Sequence, residues 1–224
     1  MRAKLLYERA LISLDKDRHF WLSYVRFIEK TLKDPQLVRA KYENRIKLHT
    51  GGSKFETLEI MLEQALFEEE QNQISKTRKI YETLQNEIAP DCIKTMMAFI
   101  NFEKRQNNPE KVKELFFKAY TFSLEKQESE TVAYIVVQYA RYLAFKCSDS
   151  NRAVEIMNQA ISKCGQGSKT LYLSYANFLK HLDGVIPDVY TKIVSVFEKA
   201  IEESISGLKL SDRQEIARFY LEYL

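Results

Sequence analysis

The stretch AKLLYERAL at residues 3–11 sets a pattern that the chain writes again as AVEIMNQAI at 153–161 and IVSVFEKAI at 193–201. An apolar residue is followed four positions on by a large apolar one, and seven positions on by a small one. Spacings of four and seven fall on one face of an α-helix. Ala3, Val38, Thr77, Val112, Ala153 and Ile193 open six copies, at intervals of 35 to 41 residues. That is the period of helical-pair repeats. The large residue is Tyr7, Tyr42, Tyr81, Phe116, Met157 or Phe197, and the position three further on is Ala10, Arg45, Leu84, Ala119, Ala160 or Ala200. The large side chain can fill a gap between helices, and alanine lets a neighbouring backbone come close. Arg45 and Leu84 break the small-residue rule, so their units are expected to pack differently.

A second pattern lies between the copies: three large residues spaced by three. It reads Trp21, Tyr24, Phe27; Met96, Phe99, Phe102; Val136, Tyr139, Tyr142; and Tyr172, Tyr175, Phe178, with a weaker copy at Met61, Gln64, Phe67. On a helix such a triplet sweeps a normal buried stripe. The two patterns alternate, so the chain reads as helix pairs, each a first-type helix carrying the triplet followed by a second-type helix carrying the repeated phrase. Each helix buries one side against its mate and needs the next pair for the other side. The expected fold is all-α, an α-solenoid (a right-handed superhelix) of stacked antiparallel helix pairs, with roughly twelve helices. The expected segments are 1–15 (half a repeat), 18–50, 55–88, 91–126, 130–164, 168–206 and 211–224 (half a repeat), in one array that is a fragment of a longer protein.

Breakers fall where the scheme needs them. Asn108-Pro109-Glu110 supplies a cap, a first-turn proline and a first-turn acid. Asp34-Pro35 precedes another helix, and Ser211 with Gln214 fits a capping box. All six glycines, Gly51, Gly52, Gly165, Gly167, Gly184 and Gly207, sit between expected helices. Gly165-Gln166-Gly167 reads as a helix-ending loop and not a phosphate cradle, because no strand precedes it.

With 34 basic and 31 acidic residues the net charge is only +3, which demands no nucleic-acid face. Cys92, Cys147 and Cys164 are far apart and read as reduced thiols of a cytosolic or nuclear protein. The most apolar stretch, TVAYIVVQYARYLAF at 131–145, carries Gln138 and Arg141 and is too short to span a bilayer. His19, His49 and His181 form no metal-binding or catalytic spacing, and no phosphate loop or nucleophile elbow is present. No cofactor, metal or small-molecule substrate is expected. Consecutive acids such as Glu68-Glu69-Glu70 point in different directions on a helix and read as a solvated face. The basic stretches EKRQNNPEKVKE at 103–114 and RIKLH at 45–49 could touch phosphates, most plausibly through Lys104, Arg105, Lys111 and Lys113.

The order W-x2-Y-x2-F followed by A-x3-Y-E-x-A-L resembles the HAT (half-a-TPR) repeat of RNA-processing proteins. The carrying segments are FWLSYVRFIEK at 20–30, RAKLLYERAL at 2–11 and VFEKAIEES at 196–204. The tetratricopeptide pattern fits worse, since its Gly-Tyr signature and repeat-end proline do not recur. Among HAT proteins the succession YERALISLDKDRHFWLSYVRFIEK (7–30), FEEEQNQISKTRKIYE (67–82), FEKRQNNPEKVKELFFKA (102–119) and RAVEIMNQAISKCGQGSKTLYLSYANF (152–178) is most similar to the C-terminal repeats of the pre-mRNA-processing factor 39 family. Cleavage-stimulation-factor and Crooked-neck-like HAT proteins share the same grammar, so 3′-end processing stays open as an alternative, as does direct RNA binding. The family resemblance implies a non-enzymatic nuclear scaffold of the U1 small nuclear ribonucleoprotein, which selects the 5′ splice site. It also implies dimerisation with itself or a paralogous HAT protein through these repeats. Any RNA contact would then be mainly indirect. The final segment RQEIARFYLEYL at 213–224 reads as a first-type helix with no partner after it. Phe219, Tyr220, Tyr223 and Leu224 are therefore the expected interface residues, with Tyr190 and Phe197 internal.

Overall fold

The computed structural model describes residues 2–14, 17–49, 54–126 and 129–224. Gly51 and Gly52, the His49 side chain and the repeat limits at 15 and 50 lie outside the described residues. Within these there are α-helices and two π-helical turns, and no strand. The helices are α1 (Arg2–Ser13), α2 (Arg18–Phe27), α3 (Pro35–His49), α4 (Lys54–Glu70), α5 (Ile74–Thr83), α6 (Ile93–Arg105), α7 (Pro109–Lys126), α8 (Ser129–Lys146), α9 (Ser150–Cys164), α10 (Lys169–Lys180), α11 (Val189–Ile201), α12 (Glu203–Ser206) and α13 (Leu210–Tyr223). Twelve are long; α12, of four residues, is the one the periodicity does not foresee. The π-helical turns, Ile28–Leu32 and Leu84–Ile88, extend α2 and α5.

The chain forms two compact units, Met1–Phe99 and Ile100–Leu224, each a set of helix layers. In the first unit α3 packs on α4 and α4 on α5. In the second, α8 packs on α7, on α9 and on the next first-type helix, α10; α13 packs on α10 and α11. Contact with both the chain neighbour and the helix two further on is what a stack of pairs requires.

The two sequence patterns meet through their aromatic rings. The large residue of a second-type helix lies against the middle residue of the following triplet: Tyr7 on Tyr24 with centroids 5.4 Å apart, Tyr81 on Phe99 at 5.1 Å and Phe116 on Tyr139 at 5.2 Å. At the weak triplet, whose middle residue is Gln64, Tyr42 turns instead to the third residue, Phe67, at 5.9 Å. Within one pair, Trp21 meets Tyr42 edge-on, with centroids 5.4 Å apart. Each such ring contributes about 2–3 kcal/mol by leaving water, and the stacking adds about 1 kcal/mol.

The first-unit core gathers Trp21, Tyr24, Val25, Ile28, Val38, Tyr42, Ile60 and Phe67. Among the expected core positions Tyr81, Phe99, Phe102, Phe116, Ala119, Tyr139, Ala160, Tyr172, Tyr175, Phe178, Phe197 and Ala200 are also buried, whereas Tyr7, Ala10, Phe27 and Tyr142 are half-covered. The polar ends of two triplet tyrosines find matching partners one helix back. Tyr24 Oη donates to Glu8 at 2.8 Å, and Tyr175 Oη donates to Asn158 at 2.9 Å. Glu8 and Asn158 each follow the large residue of a repeated phrase.

Exceptions to the alanine rule have visible consequences. Arg45 is buried, its guanidinium 5.6 Å from the Trp21 ring centroid. It is thus withdrawn from the solvent face that a phosphate-binding RIKLH would need. Leu84, fully buried, opens the π-helical turn of α5.

The acid run requires a correction. Glu69 and Glu70 are more open, but Glu68 is buried and accepts two hydrogen bonds from Arg39, at 2.7 and 2.9 Å. Glu103, 35 residues on, is equally buried and accepts from Asn108 Nδ2 at 3.1 Å. Both follow the third residue of a triplet, a position the stack turns inward. The same segments end alike. Asn72 (φ 56°) and Asn107 (φ 53°) adopt the left-handed conformation. The next residue's N–H then donates to the buried glutamate's carbonyl: Gln73 to Glu68 and Asn108 to Glu103. This is a Schellman close with asparagine where glycine is usual.

Caps at Asn108 and Asp34 form, Asn108 accepting from Lys111 N–H at 3.4 Å and Asp34 from Gln36 and Leu37, each at 3.1 Å. The Ser211–Gln214 capping box does not. Gly207 turns the chain at φ 58°, Leu208 is buried, and α13 has already begun at Leu210. Gly165 ends α9; a Cβ there would stand 2.3 Å from the Ile161 carbonyl oxygen.

Removing Glu68 strands a largely buried guanidinium. Glu68→Ala is expected to lower unfolding free energy by about 3 kcal/mol. Glu114→Ala, which removes the exposed partner of Lys111, should change it by less than about 1 kcal/mol. Urea denaturation followed by circular dichroism checks both; equal midpoints for the two variants would contradict the assignment.

Candidate interaction surfaces

The last helix divides the residues expected at the interface into two sets. Tyr220 stacks on Phe197 with centroids 5.3 Å apart, and Tyr223 stacks on Tyr190 at 5.8 Å. Lys180 Nζ stands 4.8 Å from the Tyr223 centroid. Both tyrosines therefore face α11, and Tyr220 on Phe197 repeats the ring contact of the earlier layers. Phe219 and Leu224 stay exposed, and Leu221, which the sequence reading passed over, is 72 % exposed. Tyr190 keeps 55 % of its surface despite the stack, so it is less internal than expected. Leu210, Ala217, Leu221 and Leu224 follow one another at steps of seven, four and three, the spacing of a coiled-coil seam. This row adjoins the tyrosines, with Tyr220 one turn before Leu224, and lies to one side of buried Ile216.

The four basic candidates do not act as one patch. Lys111 pairs with Glu114 at 2.7 Å and Lys113 with Glu110 at 3.2 Å. Arg105 is exposed. Lys104 is half-buried, its ammonium 4.7 Å from the Phe116 centroid.

In the first unit, a groove of about 300 Å³ is lined by Arg26, Glu29, Lys30, Tyr42, Glu63, Leu66, Phe67 and Glu70. Burial, followed by the charge of Glu70 and a hydrogen bond to it, pushes the Glu29 carboxyl above the usual carboxylate range; Lys30 and Arg26 pull it back. Among the described residues no group of three His, Cys, Asp or Glu is placed to hold a metal ion. No helix there is long and apolar enough to cross a membrane. His181 terminates α10, its Nδ1 2.7 Å from the Asn177 carbonyl oxygen, and the three cysteines are free thiols.

Ring-stacked helix pairs, buried post-aromatic glutamates and the absence of strands among the described residues define a helical-repeat protein of the α-solenoid class. Residues 1–105 match the family model described as PRP39 C-terminal HAT repeat. The chain is 24 % identical over 216 residues to pre-mRNA-processing factor 39 of Xenopus laevis, covering 95 % of this chain and 32 % of that protein. It is 23 % identical over 204 residues to pre-mRNA-processing factor 39 of Homo sapiens, covering 91 % and 29 %. The match to the PRP39 C-terminal HAT repeat thus covers the first 105 residues, and the likeness to the pre-mRNA-processing factor 39 relatives extends over nearly the whole chain. The chain spans about a third of the length of the curated relatives it matches.

Because folding raises the pKa of Glu29, its ionised form opposes folding at neutral pH. That penalty disappears as pH falls through the folded pKa. Glu29→Gln should therefore raise the thermal midpoint at pH 7, and the gain should shrink toward pH 4. Melting curves at the two pH values test this; a gain that grows on acidification would contradict it.

Proposed function

We propose that this chain is a non-enzymatic scaffold module in pre-mRNA splicing, a HAT-repeat dimerisation and protein-interaction element of a factor associated with the U1 small nuclear ribonucleoprotein. The observation that carries the reading is the outer face of α13. Leu210, Leu221 and Leu224 are 62, 72 and 64 % exposed in a seam-like row, while the tyrosines of the same helix are occupied internally. An apolar row of this spacing is matched by a copy of itself about a two-fold axis. A stable contact of that kind buries about 2,000 Å² or more, so surface flanking the row would join it. The names of the relatives support the splicing assignment. They favour it over 3′-end processing. The site of action is then the nucleus, and the partners are a second HAT chain and particle proteins.

Light scattering on the purified chain should give twice 26.4 kDa at micromolar concentration. Leu221→Asp should return it to monomer with its helical circular dichroism intact, because the side chain is exposed. A monomer mass for the unaltered chain at every concentration would refute dimerisation. Recovery of polyadenylation factors in place of U1 particle proteins from nuclear extract would refute the splicing assignment and leave dimerisation standing.

A further inference from the structure

A cleft in the second unit concentrates cations that self-association through α13 does not use. It lies between the α6–α7 turn and the C-terminal half of α8 and holds about 460 Å³. Lys104, Arg141 and Lys146 line it together with Gln138, Tyr142 and Phe145, and none of its lining residues is acidic. Gln138, Arg141, Tyr142 and Phe145 stand at steps of three, one and three, so they share one face of α8. Arg141 and Lys146 are exposed, and Phe145 leaves 51 % of its surface open. Lys104 forms the floor, 4.7 Å from the Phe116 centroid and 5.6 Å from that of Tyr142. Burial lowers the affinity of its amine for a proton. A carboxylate arriving beside it would reverse that penalty.

Among the described residues, none of these three cations has a carboxylate partner. Their neighbours do: Lys111 pairs with Glu114, Lys113 with Glu110 and Arg152 with Glu155. Uncompensated positive charge therefore collects in the cleft and stops at its rim. A polynucleotide repeats a charge at every unit and calls for a basic track that continues. A short run of carboxylates beside one apolar side chain calls for what is present: three cations around an open aromatic ring.

We propose that this cleft binds a short acidic segment of a partner protein, with its carboxylates on Lys104, Arg141 and Lys146 and an aromatic or aliphatic side chain against Phe145. The proposal rests on the scaffold reading only in taking the ligand to be a protein; it is independent of α13.

The test is fluorescence anisotropy of the full chain with a fluorescein-labelled hexapeptide, Glu-Asp-Phe-Asp-Glu-Glu. Its amide counterpart, Gln-Asn-Phe-Asn-Gln-Gln, and hexauridylate are the comparisons. The acidic peptide should bind about tenfold more tightly than the amide form, and less tightly as salt rises. Arg141→Ala and Lys146→Ala should each weaken it by about threefold or more with unchanged circular dichroism, and Phe145→Ala should weaken it too. Absence of peptide binding, equal affinity for the acidic and amide peptides, or indifference to Arg141→Ala would overturn the proposal. So would tighter binding of hexauridylate lost on the same substitution. Light scattering of Arg141→Ala should still report the mass of the unaltered chain, so a failure here is separable from a failure of dimerisation.

Discussion

The architecture depends on one recurring contact, a large ring on a second-type helix laid against the middle ring of the next first-type helix. Tyr7 with Tyr24, Tyr81 with Phe99, Phe116 with Tyr139 and Phe197 with Tyr220 are four instances, all between 5.1 and 5.4 Å. A helix pair has too little apolar surface to persist alone, and the ring contact ties it to the following pair. Geometry at this joint fixes which side of each helix is left for solvent or partners. The tyrosines of α13 obey the joint, and that is why its leucines are the residues left outside.

Polar groups are arranged around the same joint. Glu68 and Glu103 stand immediately after triplet rings, where the stack removes them from water, and each has a nearby donor, Arg39 or Asn108. Such groups add little net stability when paired but penalise any register that separates them. Ion pairs on the outside bind helix to helix more loosely: Glu59 of α4 takes both Arg18 of α2 and Lys94 of α6, and Lys169 of α10 reaches Asp212 and Glu215 of α13. Charge that is not consumed in this way becomes informative, because the balanced composition hides it. The near-zero sum over the whole chain and the unmatched cations beside Phe145 are both true of one molecule.

Helices and core rings were legible in the sequence because periodicity and residue size act locally, through spacings of three, four and seven. The glutamates were not. Glu68 among three acids looks like solvent-facing charge until the position of Arg39, a helix away, is known. Asn72 and Asn107 end their helices in the left-handed conformation, a role that sequence alone assigns first to glycine. On α13 the aromatic rings suggest a sticky face, but Tyr220 and Tyr223 stack on Phe197 and Tyr190, leaving Phe219, Leu221 and Leu224 exposed. The α8 face was hidden differently. TVAYIVVQYARYLAF reads as the most apolar stretch of the chain, and within it a lone Arg141 signals no binding face.

The two π-helical turns, Ile28–Leu32 and Leu84–Ile88, come just after the residues that make the ring contacts, at the ends of α2 and α5. A π turn takes up one residue more than an α turn without shifting what precedes it. Length differences between repeats can thus be absorbed downstream of the aromatic joint. A lineage of such chains is free to gain or lose single residues there while every stacked pair keeps its phase, so repeat length can drift even where the packing code is held constant.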